Sequence, residues 1–184
     1  MINLEQKNRL SQGGIYTLNI IGGSYEVTDK GKSIKLTLGN DEIEHPFFIT
    51  MIDEESKEGK VKVFKAQINE LVQGLCTVEQ RKKKNPLAGD SYDVIANNIV
   101  ELINNNVDKE VTFKAVINTY NGKSKIVFPA FGNWFSTKIN DKVLKIENGD
   151  VIIPPADVTP SDSLLRGTTL STEPQSDLKG DLPF

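Results

Sequence analysis

Residues 110–129, EVTFKAVINTYNGKSKIVFP, read as two antiparallel strands joined by a two-residue turn. Val111, Phe113, Ala115 and Ile117 alternate with Thr112, Lys114 and Val116 at the two-residue period of a half-buried strand. Asn121-Gly122 then supplies two residues that tolerate positive φ, the requirement of the tight turn that matches strand twist, and Lys123 to Pro129 returns.

Upstream of this hairpin the period changes. Val61, Phe64, Ile68, Leu71, Val72 and Leu75 form one helical stripe, and Ile95, Ile99, Leu102 and Ile103 form a second behind the N-cap pair Asp90-Ser91. Two helices are expected, separated by an exposed basic loop from Arg81 through Lys82, Lys83 and Lys84 to Pro86 and Gly89. Further upstream the strand period recurs. Tyr16, Leu18 and Ile20 alternate, Gly22-Gly23 interrupts them as a bulge or bend would, and Tyr25 and Val27 resume the pattern. Ser33 to Leu38 and His45 to Ile52 supply two more strands. Phe47 and Phe48 are adjacent, so only one of them can face inward.

Three strands, a helical excursion and a two-strand hairpin give the element order of a mainly β, five-stranded Greek-key barrel of the oligonucleotide/oligosaccharide-binding (OB) type, with two helices between strands three and four. An SH3-like barrel and an α+β domain with one open sheet share the periodicity. Downstream, Lys142 to Ile153 is expected to add a short closing strand. The folded domain is therefore read as residues 1–153. Residues 154–184, rich in Pro, Ser, Thr, Asp and Gly with no aromatic before Phe184, are expected to form a disordered tail.

The net charge of −3 is unevenly spread, because residues 151–184 carry all of it and the preceding 150 balance to zero. Within that neutral body, Lys60 to Lys84 holds seven basic and two acidic residues, Lys109 to Lys145 holds the same, and Asp41 to Glu58 holds seven acidic residues. A basic face can coexist with an acidic pI. Cys76 is the only cysteine and reads as a small buried apolar residue. No apolar run reaches membrane-spanning length and Met1 to Gln6 lacks a secretory layout, so a cytoplasmic protein with no membrane partner is expected.

Enzymatic chemistry finds no support in the residue pattern. His45 lies near Asp41, Glu42, Glu44, Asp53, Glu54 and Glu55, but one histidine leaves no second imidazole for zinc, and the acidic spacing matches no EF-hand loop. Neither glycine pair lies between a strand and a helix, where a phosphate loop would be. No catalytic residue, metal or cofactor is expected. Binding of a single strand rests instead on cations that displace condensed counterions and rings that stack on unpaired bases. The candidates are Tyr16, Lys62, Lys65, Arg81, Lys82, Lys83, Lys84, Lys114, Tyr120, Lys123, Lys125 and Trp134. Tyr120 sits beside the hairpin turn, whereas Tyr16 and Trp134 suit core and platform equally, and Arg81 to Lys84 could equally be a solubilising loop.

The end of the sequence, Gly180-Asp181-Leu182-Pro183-Phe184, resembles the tip of bacterial single-stranded DNA-binding proteins, where acidic residues precede Leu-Pro-Phe or Ile-Pro-Phe. The resemblance covers the last residues closely and the body in element order. The two-helix excursion departs from the standard bacterial barrel and looks more like a bacteriophage protein of this class. It implies a non-enzymatic protein that coats single-stranded DNA with little sequence preference during replication, recombination and repair. It also implies that Asp181, Leu182, Pro183 and Phe184 recruit replication and recombination proteins. Other readings are a recombination mediator or strand-annealing protein, and a protein-interaction barrel that never touches DNA; oligomeric state is left open.

Overall fold

The computed structural model describes residues 7–154, and the unit that bears the fold ends at Pro154. Of the tail expected over residues 154–184 only Pro154 is described, and the tip, Asp181 to Phe184, lies outside the described residues. The first strand, β1 (Gly14–Thr28), explains why the glycine pair interrupts the alternation. Its register against β2 (Gly31–Gly39) slips between Ile20 and Gly22, leaving Ile21 as the extra residue of a bulge. The slip reverses which parity faces inward: Leu18 and Ile20 point into the core before it, and Gly23 and Tyr25 lie opposite Leu36 and Ile34 after it. Gly23 also seats a helix. A Cβ there would lie 2.8 Å from Ile103, and the Asn104 amide brackets the Gly23 backbone, its Oδ1 accepting from the N–H at 2.8 Å and its Nδ2 donating to the carbonyl.

β3 (Glu44–Thr50) pairs with β2, and the chain then crosses to β4 (Glu110–Tyr120) through three helices, α1 (Glu58–Leu75), α2 (Val78–Lys83) and α3 (Tyr92–Asn104). The expected count was two. α2 occupies the start of the stretch read as a loop, because Thr77 caps it: the hydroxyl accepts from the Gln80 N–H, and the Gln80 side chain accepts from the Thr77 N–H in return. Ser91 caps α3 as expected by accepting from Val94.

All ladders are antiparallel, in the order β3-β2-β1-β4-β5, with β5 (Lys123–Val127). A sixth strand, β6 (Phe135–Ser136), pairs with Thr112 and Phe113 of β4, which also pairs with β1 and β5. The expected closing strand at Lys142 to Ile153 does not form. That segment is held without a ladder: Lys142 binds Glu70, the Ile117 N–H donates to the Val151 carbonyl, and the Gly13 N–H donates to Ile152. The end strands β3 and β5 touch, but no ladder joins them among the described residues, so the six-stranded sheet is open along that seam.

The core lies between the inner faces of the strands and helices α1 and α3, and it is strongly aromatic. Phe47 stacks on Phe128 at 4.1 Å, Phe128 on Trp134 at 4.0 Å, and Phe113 meets both Phe47 and Phe128 edge-on. Gln67 of α1 pins the connection after β5 by donating to the carbonyls of Phe128 and Pro129. Cys76 is buried beside this core, in keeping with its reading as a small apolar residue. No helix of the described residues is long and apolar enough to cross a membrane.

Candidate nucleic-acid interface

The alternation of β3 turns His45, Phe47 and Ile49 inward and leaves Pro46, Phe48 and Thr50 on the other face. Phe48 is consequently a large ring at 49% exposure, where Phe47 is 1% exposed. It stands at the open seam, between two cavities of about 760 and 550 Å³ that share Phe48, Thr50, Ile117 and Val127 in their walls. A third of about 560 Å³ shares Thr50, Met51, Ile52 and Lys60 with the second. Together they make one trough along β3, walled on the far side by β5 and the end of β4 in the first two cavities and by the β1–β2 turn and the start of α3 in the third.

The β4–β5 hairpin stands at the wide end. Asn121 and Gly122 take φ of 50° and 71°, the pair of positive values that a tight hairpin turn needs. Register places Tyr120 opposite Lys123 and Asn118 opposite Lys125 on the face turned away from the core, with Tyr120 at 76% exposure. Lys125 and Arg9 both line the wide cavity, and Lys60 lines the next two. Among the described residues, none of Arg9, Lys60, Lys123 and Lys125 is in an ion pair. Phe131, 57% exposed, follows Ala130 of the middle cavity. Exposed rings and uncommitted cations therefore occur along one concavity.

No protein-family model matches the chain, and a search of curated proteins finds no relative.

Of the residues singled out from sequence, Tyr120, Lys123 and Lys125 come together on the hairpin. Others do not join them. Trp134 is 0% exposed within the aromatic stack and cannot be a platform. Lys114 is 1% exposed, its ammonium 2.9 Å from Asp150 and 3.7 Å from Glu147, so its charge ties the 142–154 segment to β4 and is unavailable to phosphate. Tyr16 lies half-buried on Phe113 with its hydroxyl donating to the Gln12 carbonyl, a packing role outside the trough. Lys62 pairs with Glu58 on α1, and Lys65 is exposed there but lines none of the three cavities. Arg81, Lys82 and Lys83 lie on α2; Lys83, Lys84 and Lys109 line a separate 440 Å³ pocket that shares no residue with the trough, and Lys84 is held by Glu101.

Phe48, Arg9, Lys60 and Phe131 are additions made by the structure. For Phe48 a signal existed in the adjacent phenylalanines, one of which had to face out. Arg9 carried none, since its place at the trough depends on the pairing of Asn8 with Ile43 beside β3.

Two groups contribute to the acid response of the fold, His45 in the wall of the wide cavity and Asp150 beside Lys114. Burial and the charge of Arg9 hold His45 below its ordinary value of 6.5, with the Ile126 backbone opposing them. For Asp150, burial resists ionisation, but the Glu147 N–H and the Lys114 ammonium outweigh it and hold the carboxyl below 3.8. Both groups are depressed on folding, so the unfolded chain takes up each proton first and stability falls as pH drops. The His45 contribution is complete above 6.5 and lost as pH falls through its folded value; that of Asp150 is complete above 3.8 and lost below. Chemical denaturation at a series of pH values should show two stages of acid destabilisation, the upper removed by His45→Leu. An unchanged upper stage in that variant would show that another group causes it.

Proposed function

We propose that this protein is a non-enzymatic single-stranded nucleic-acid-binding protein, with DNA as its ligand, and that the strand lies in the trough between β3 and the β4–β5 hairpin. The observation that carries this reading is Phe48, an exposed ring in a concavity whose flanking cations are in no ion pair among the described residues. An exposed ring stacks on any base, and unpaired cations exchange counterions for phosphates, so sequence preference is low and affinity depends on salt.

Two further features support it. The order β3-β2-β1-β4-β5 is that of an OB barrel, in which β3 and β5 would close the ring and a strand would cross its face. The Asp181-Leu182-Pro183-Phe184 tip resembles the partner-docking device of single-stranded DNA-binding proteins, and supports action in replication, recombination and repair, of the bacteriophage type, in a host cytoplasm. The Asp181 carboxylate there repels phosphate, so the tip recruits proteins and the trough holds DNA.

The reading is tested by titrating a fluorescein-labelled thymidine oligonucleotide and following its anisotropy. Salt-sensitive binding at micromolar protein is expected, and its absence refutes the proposal. Deleting residues 181–184 should leave that affinity equal or higher while abolishing pull-down of purified replication proteins that bind the full chain. Unchanged recovery removes the docking role and leaves the DNA-binding claim intact.

A further inference from the structure

The reach of the trough and the placement of charge along it bear on how much nucleic acid it holds. β3 has seven residues, which at about 3.3 Å per residue span roughly 23 Å. Cations in no ion pair among the described residues occur at one end and in the middle: Arg9 and Lys125 in the wide cavity, Lys60 where the second and third cavities meet. Beyond Lys60 the character reverses. The third cavity is lined by Asp29, Asp53, Glu54 and Asp93 against Lys30 and Lys32, and Lys32 is already engaged by Asp93 at 2.8 Å, so the balance beyond Lys60 is acidic. Phosphate is attracted as far as Lys60 and repelled past it.

Resting on the reading of the trough as the nucleic-acid site, we propose that it is a short site that grips about three to four unstacked nucleotides and is stopped at its Asp53–Glu54 end. A stacked strand advances about 3.4 Å per nucleotide and an unstacked one roughly twice that, which sets this number over the length of β3. About three to four phosphates then meet Arg9, Lys60, Lys125 and the neighbouring Lys123. With a single-strand slope of roughly −0.7 per phosphate, log affinity falls against log salt with a slope of about −2 to −3.

The test is a set of fluorescein-labelled thymidine oligonucleotides of roughly 2 to 16 nucleotides, which covers the range of site sizes for such domains, with salt titrated at one intermediate length. Affinity should climb steeply to about four nucleotides and then gain only the statistical factor of added registers, with the shallow salt slope above. A further tenfold rise beyond about eight nucleotides, or a slope steeper than about −5, overturns the short site while leaving the nucleic-acid reading standing. No binding at any length overturns both. In Asp53→Asn/Glu54→Gln, with thermal unfolding as the check on folding, the plateau should move to longer oligonucleotides and the salt slope should steepen; an unmoved plateau removes the acidic stop.

Discussion

Phe48→Ala should weaken binding of a thymidine oligonucleotide by about 1–3 kcal/mol, roughly 5- to 150-fold, the loss measured when one base–aromatic stack is removed. The ring is half exposed and belongs to no aromatic pair of the core, so its removal should leave the unfolding midpoint little changed. Tyr120→Ala should act in the same direction through the hairpin tip, at 76% exposure and with no buried contact to lose. Phe48→Tyr keeps a stacking face and should restore most of the affinity. Equal binding by wild type and the Phe48→Ala/Tyr120→Ala double variant would mean that neither ring carries a base.

Trp134→Ala should have the opposite profile, costing about 3–5 kcal/mol of folding stability through loss of a large core side chain and the void left behind. The residue has no exposed surface, lies 4.0 Å from Phe128 across a stack, and tilts against Phe135. Trp134→Phe should cost far less, because it keeps an aromatic partner for Phe128 and removes an indole N–H that has no acceptor among the described residues. Guanidinium denaturation of the three proteins measures the difference. A corollary is that Trp134 emission should barely respond to DNA, so a strong response would place the indole nearer the ligand than the core allows.

The strands were readable because their alternation is local: Ile34, Leu36 and Leu38 face one way wherever β2 ends up, and all three are fully buried. The helical stripes of α1 and α3 were readable for the same reason. α2 was hidden by composition, since its charge run resembles a loop and only the spacing of Thr77 and Gln80 marks its start. β6 is two residues long and exists because β4 presents an edge there, which no local pattern reports. The trough was less legible still. Its walls come from the N-terminal segment, β3, α1 and β5, which only the sheet order brings together, and whether Trp134 or Phe48 supplies the exposed ring depends on that packing. Lys114 shows the limit of charge counting, because a lysine on a strand's outer face was buried by a segment that the periodicity read as a strand.

The central claim is where the strand lies, and photo-cross-linking an oligonucleotide carrying 5-iodouracil, with the attached residues identified by mass spectrometry, addresses it most directly. Cross-links at Phe48 and on the β4–β5 hairpin at Tyr120, lost in the double alanine variant, are the outcome expected of a strand in the trough. Cross-links confined to α2 and the 440 Å³ pocket beside it, with Phe48 and Tyr120 untouched, would contradict it.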